Sequence, residues 1–302
     1  MDLYLSVFVF HYLKEKIHHF MNILRKFFKL SGTVFTHGQY YESMNMALKR
    51  LNNEYTMLHY PFFVKESDSF FQAQRNLTDY CISLLYPIKN KEVLEIGCGN
   101  GVQALYINAK YSPLRITGID LNKANIEIAN SEAVRAKIDN VRFITDDAQK
   151  LSKIPSDSAD VVINIESAFH YPDKAAFLKE IHRVLKPGGE FLIADLLSTR
   201  IKLERFKETL GSKRVHYFWN QKQYEEGFVK SELSVNHREE ITQQVKKGWS
   251  LYPNWIPKIE RKQFIQNVLF RIFYIINVRL NIRYLNKGQQ YFIFVGQKPV
   301  SK

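Results

Sequence analysis

Cysteine is nearly absent: Cys81 and Cys98 are the only two in 302 residues. A disulfide framework is thereby excluded, and a reducing compartment suits the chain. Long apolar runs are missing as well. The opening stretch "MDLYLSVFVFHYLKEK" is interrupted by His11 and Lys14, short of the roughly 20 residues that a spanning helix needs. It carries Asp2 where a secretory signal carries basic residues, and no small-residue cleavage site follows. The expectation is a cytoplasmic chain without a transmembrane segment. No internal repeat or low-complexity tract occurs, so a solenoid or array is excluded. Acidic residues are in deficit, 30 Asp and Glu against 43 Lys and Arg, for a net charge of +13. Yet no block of five or six basic residues appears, and no nucleic-acid partner is expected.

What is present is an ordinary globular balance, 45% hydrophobic and 24% charged, with an aromatic share of 14% that is unusually high. The basic residues interleave with apolar ones in two places, 17–30 ("IHHFMNILRKFFKL") and 261–280 ("RKQFIQNVLFRIFYIINVRL"). In the first, Ile17, Phe20, Met21, Leu24, Phe27 and Phe28 share one helical face. Such basic amphipathic helices either lie in a membrane interface or pack their apolar face on the domain. Both readings stay open, and peripheral membrane contact through 17–30 and 261–280 is one expectation.

Strand-like and helix-like runs alternate between Val93 and Ala194. "EVLEIG", "ITGID", "VRFIT", "DVVINI" and "EFLIAD" are separated by stretches such as "NKANIEIANSEAVRAK" and "DKAAFLKEIHRVLK". That alternation predicts a parallel, doubly wound α/β sheet. Asp173 is the expected N-cap of the last of these helices, Ala176, Phe177, Ile181 and Leu185 its apolar stripe, and "KPGG" at 186–189 its stop. The expected divisions are a basic extension (1–45), a helical cap (46–92), the sheet core (93–196), a lid with a sixth strand (197–288) and a final strand with tail (289–302). Val229 to Val235 is the candidate sixth strand, and Trp249, Tyr252 and Trp255 are candidate roof residues.

The chemistry concentrates in "VLEIGCGNG", Val93 to Gly101, a buried strand followed by three glycines at alternate positions. Gly97, Gly99 and Gly101 permit a tight strand-to-helix turn and close approach of a ligand to backbone N–H groups. Asp120 follows at the spacing that places a carboxylate at the tip of the second strand, where it accepts the two hydroxyls of a ribose. A dinucleotide and S-adenosyl-L-methionine share that ribose. The dinucleotide fingerprint has its third glycine where this chain has Val102, and Glu95 suits a cation better than a pyrophosphate.

Residues 93 to 196 therefore resemble the core of class I S-adenosylmethionine-dependent methyltransferases, a Rossmann-like seven-stranded sheet whose last strand is antiparallel. The resemblance implies that Gly97, Cys98, Gly99 and Gly101 pass under the cofactor and that Glu95 lies near its amino group. It further implies that Asp120, with Leu121 beside it, holds the ribose, that Asp147 and Ala148 meet the adenine, and that Asn164 lines the sulfonium. The doublet leaves Asp146 open for the adenine contact, and Glu95 also has a helix-capping reading. Cys98 reads as a small filler.

The stretch "NIESAFHYPDKAAFLKEIHRVLKPGGEFLIADL" is similar to the small-molecule branch of that family, which includes sugar O-methyltransferases, phthiotriolone-type lipid methyltransferases and sterol C-methyltransferases. In the sugar enzymes two adjacent histidines and an aspartate form the proton-handling group. Here Phe169 holds the first histidine position, His170 the second and Asp195 the aspartate position. His170 is accordingly a candidate base, a substrate-orienting donor or a loop residue, with Asp195 as its orienting partner. Glu166 is the rival acid, suited to steadying a carbocation. The resemblance implies methyl transfer to oxygen or carbon of a hydrophobic small molecule; the sequence leaves a homodimer open. A methyltransferase acting on a macromolecule, and a non-catalytic cofactor-binding scaffold, remain the alternatives.

Overall fold

The computed structural model describes residues 41, 45, 49, 54–198, 216–251, 278–279 and 281–300. The two basic amphipathic stretches fall outside these, apart from Val278 and Arg279, as do Tyr252 and Trp255. No helix among the described residues is long and apolar enough to cross a membrane.

The five alternating runs between Val93 and Ala194 all form strands: β1 (Glu92–Ile96), β2 (Arg115–Asp120), β3 (Val141–Thr145), β4 (Ala159–Ile165) and β5 (Leu185–Ser198). With β6 (Ser234–Glu240) and β7 (Gln289–Gln297) they make one sheet in the order β3-β2-β1-β4-β5-β7-β6. The first five strands are parallel, while β7 runs antiparallel to both β5 and β6. The expected doubly wound sheet with an antiparallel last strand is what the chain builds.

Helices cover both faces, as buried parallel strands require. On one face lie α1 (Phe70–Ser83), α2 (Val102–Tyr111) and α3 (Lys123–Arg135), packing Leu77, Ile107 and Ala129 against Val93, Ile116 and Ile163. On the other lie α4 (Lys174–Val184) and α5 (Gln221–Lys230), packing Phe177, Ile181, Tyr224 and Phe228 against Leu94, Val162 and Phe294. Asp173 caps α4 as expected, its side chain accepting from the Ala176 N–H at 2.9 Å, a bond that stabilises a helix by about 1 kcal/mol. The "KPGG" stretch ends that helix but lies within β5, not in a loop before it.

The sixth strand is displaced from its expected place. Gly227 and Phe228 belong to α5, which starts from an Asn220–Gln223 capping box, and the strand begins only at Ser234. Gly227 is a packing glycine: a Cβ there would meet Leu178 Cδ1 and the Trp219 ring at 2.8 Å. The edge strand "SVNHREE" carries no apolar stripe, so periodicity has nothing to report there.

Chain order reverses between β1 and β4, the switch point at which an open α/β sheet leaves a crevice at its carboxyl ends. Helical residues Tyr41, Asn45 and Lys49, one turn apart, contact this end of the molecule, and a following segment, 54–62, crosses it. A fourth helix on the α1 side, α6 (Thr242–Leu251), brings Trp249 edge-on to Tyr60 with ring centroids 4.8 Å apart.

Candidate active site

A cavity of about 480 Å³ opens at the carboxyl ends of β1 to β4. Of the expected cofactor residues, Glu95, Gly97, Cys98, Gly99, Asp120, Leu121, Asp147 and Ala148 line it. Gly101 and Asn164 are not in its wall. Gly101, at φ +78, caps α2, and a Cβ there would strike Ala129 at 2.6 Å and the Phe143 ring at 2.7 Å. Its role is to seat α2 on α3 and β3. Asn164 is fully buried and works beneath the wall. Its amide nitrogen donates to the Ile96 carbonyl at 2.8 Å and to Ser167 Oγ at 2.6 Å. Ser167 and Tyr171, whose hydroxyls are 2.8 Å apart, are the lining residues that it holds.

The turn after β1 is built by its glycines. Gly97 and Gly99 take φ of +75 and +54, and the Gly97 and Cys98 N–H groups both donate to the Ile119 carbonyl. Asp120 closes this turn, one oxygen accepting from the Gly99 N–H at 3.0 Å and the other from the Asn122 N–H at 2.8 Å. Burial raises its pKa even so. Cys98 is buried with its thiol pushed well up by burial, which fits a filler and excludes a nucleophile. In the doublet, Asp146 is consumed locally, accepting from the Asp147 and Lys153 N–H groups and the Ser152 hydroxyl. Asp147 accepts from Gln149 through one oxygen.

Glu95 is 2% exposed, and Gln103 donates to its Oε1 at 2.8 Å, while Oε2 is buried without a partner among the described residues. Burial pushes its pKa up to about 8. A carboxyl oxygen left unpaired in a cavity wall is a costly arrangement, and a cationic donor that draws off its proton completes it. The amino group of S-adenosyl-L-methionine is such a donor, and Asp120, in the same wall, is an acceptor of the kind its ribose hydroxyls need. The residues present fit that cofactor.

Glu166, His170, Tyr171 and Tyr41 also line the cavity, Tyr171 with its hydroxyl 2.8 Å from where a Cβ on Gly97 would lie. Glu166 sits at φ +52, directly after β4, and accepts from the Tyr60 N–H at 2.7 Å through Oε1. Burial holds its pKa up at about 8. His170 ends a short 3-10 turn (Ala168–His170), and its Nε2 lies 2.8 Å from the Tyr41 hydroxyl.

The expected His170–Asp195 pairing is not formed. Asp195 is fully buried, accepting from the Phe169 N–H at 3.0 Å and the Tyr224 hydroxyl at 2.6 Å, and it lies outside the cavity wall. Burial raises its pKa to about 6 against the pull of Lys174. The strand tip points this carboxylate at the backbone of the 3-10 turn, so it fixes the turn's position and leaves the imidazole to Tyr41.

Several site residues carry no sequence signal. His216 lies beside His170 with ring centroids 5.3 Å apart, and Phe169 stacks between His170 (4.0 Å) and Phe218 (5.8 Å). A second histidine thus stands beside His170, contributed from beyond residue 215, which no local spacing announces. His59, buried in the wall, is held neutral by burial, its pKa lowered to about 4. Gln103 alone was findable, two residues into α2 and facing back toward Glu95.

Residues 88–247 match the family described as a methyltransferase domain, and the chain belongs to it. It is 30% identical over 220 residues to the 27-O-demethylrifamycin SV methyltransferase of Amycolatopsis mediterranei, a match covering 70% of this chain and 79% of that one. It is 41% identical over 108 residues to a fatty-acid O-methyltransferase of Mycolicibacterium smegmatis, but that match spans 36% of this chain and 38% of the relative. Among solved structures, the cyclase SpnF superposes with a TM-score of 0.71 at 19% identity, covering 87% of this chain and 96% of that one, which shows the fold alone. The protein is an S-adenosylmethionine-dependent methyltransferase.

Proposed function

We propose that the chain methylates an oxygen of a hydrophobic small molecule and that His170 handles the acceptor's proton. The observation that carries this is His170 in the cavity wall with Nε2 already 2.8 Å from a hydroxyl, that of Tyr41. An acceptor O–H replacing Tyr41 on that nitrogen meets the distance a general base needs.

The cofactor, when bound, supplies an electrophilic methyl group on a sulfonium. The chain's own residues align the acceptor and take its proton. Glu166, with its pKa near 8, is mainly protonated at pH 7. In that state its carboxyl is a hydrogen-bond donor as well as an acceptor. Two relatives, named for a rifamycin and a fatty-acid O-methylation, support an oxygen on an apolar scaffold. Such an acceptor partitions into lipid, which is the use we give to the basic amphipathic stretches 17–30 and 261–280.

The test is turnover of fatty acids and hydroxylated polyketides, with the methylated position read by mass spectrometry. His170→Gln is expected to lower kcat about 100-fold or more while S-adenosylhomocysteine binds as before. Parental turnover by that variant, or a product methylated on carbon, refutes the assignment.

A further inference from the structure

Three asparagines join the helical residues near the N-terminus to the ribose-binding carboxylate. Asn100, in the glycine turn, donates from Nδ2 to Asn45 Oδ1 at 2.8 Å and to the Thr56 carbonyl at 2.8 Å. Asn45 donates from Nδ2 to Asn125 Oδ1 at 2.9 Å, and Asn125 donates to Asp120 Oδ1 at 3.5 Å. The three amides are 1 to 2% exposed. Their orientations are dictated by neighbours with only one role: the Thr56 carbonyl and Asp120 carboxylate accept, and the Val102 N–H donates to Asn100 Oδ1 at 3.2 Å. The chain therefore runs head to tail, each N–H to the next C=O, and ends on a carboxylate. Aligned hydrogen bonds of this kind polarise one another, and in a buried setting every member must be satisfied.

A second observation places the same segment over the cofactor. Met57, Leu58 and His59 line the cavity, and a Cβ on Gly99 would come within 3.0 Å of Leu58 Cδ1. Displacing this roof together with the Asn45 helix breaks the hydrogen bonds from Asn100 to Asn45 and Thr56 and from Asn45 to Asn125.

We propose that Asn45 is a positioning residue for the cofactor: it ties the roof to the glycine turn and to Asp120, and so sets how tightly and how long the cofactor is held. Asn45 is not itself in the cavity wall, so it acts through Asn100 and Asn125, which are. The inference rests on the cofactor assignment and is independent of the acceptor's chemistry or the role of His170.

The probe is S-adenosylhomocysteine on the full chain, without acceptor. Asn45→Leu is expected to raise its dissociation constant about tenfold by titration calorimetry, mainly through a faster dissociation rate in stopped flow. A merely structural Asn45 would lower Tm and leave that rate alone. Hydrogen exchange on the unmodified protein gives a readout that does not depend on the variant folding: amides in 54–62 are expected to slow when S-adenosylhomocysteine binds. A folded Asn45→Leu whose dissociation rate stays within twofold of the parent, or unchanged exchange at 54–62, overturns the proposal.

Discussion

Glu95→Gln isolates one proton. In the free protein the Glu95 carboxyl has a pKa moved from 4.5 to about 8 by burial, which at 1.36 kcal/mol per unit makes its ionised form about 5 kcal/mol harder to reach than in water. At pH 7 about one such side chain in ten is ionised, by the same pKa. An ammonium placed beside the unpartnered Oε2 favours the carboxylate and lowers its pKa, so cofactor binding at pH 7 expels close to one proton. The sign follows for affinity: it rises up to about tenfold per pH unit below 8 and levels off above. It follows for stability too. A group whose pKa is raised by folding contributes fully below 4.5, and that contribution is lost as pH climbs through 8, so Tm of the cofactor-free protein falls across this window. Calorimetry with S-adenosylhomocysteine in buffers of different ionisation enthalpy counts the proton directly. The expected values are near one for the parent and near zero for Glu95→Gln. A parent that releases no proton, or a variant that releases as many, refutes the assignment of Glu95 to the cofactor's amino group.

Asp195→Ala removes the acceptor shared by the Phe169 N–H and Tyr224 hydroxyl and strips Lys174 of a buried counter-charge. A loss of about 3–5 kcal/mol in urea unfolding is expected, whereas an unchanged midpoint would return Asp195 to the catalytic group. Gly97→Ala puts a Cβ 2.2 Å from Ser167 Oγ at a φ of +75. Cofactor binding is expected to disappear in calorimetry, with a stability cost of roughly 1–3 kcal/mol.

The parallel half of the fold was legible because both faces of its strands are buried, so "DVVINI" and "EFLIAD" announce themselves by composition alone. The edge strand at Ser234 was not, since its side chains alternate between half-buried and exposed positions and it owes its place to pairing with β7. In the site, the cofactor end was readable in contiguous motifs, Glu95 to Gly99 and Asp120. The acceptor end was readable only where it is contiguous, at Glu166 and His170. Tyr41, Tyr60 and His216 arrive there through tertiary packing, and Asp195 was placed in the wrong partnership because strand-tip position alone does not say which way a carboxylate's hydrogen bonds run.

The strand that comes last in sequence lies inside the sheet, between β5 and β6, and not at its rim. During synthesis the first five strands, with Glu95 and Asp120, are available long before β7 exists. The wall behind Glu166, where the fully buried Tyr291 of β7 faces its carboxylate, is added only when residues 289–297 slot in against β5. A chain that stops short of residue 289 therefore carries Glu95 and Asp120 but lacks the side chain that faces Glu166.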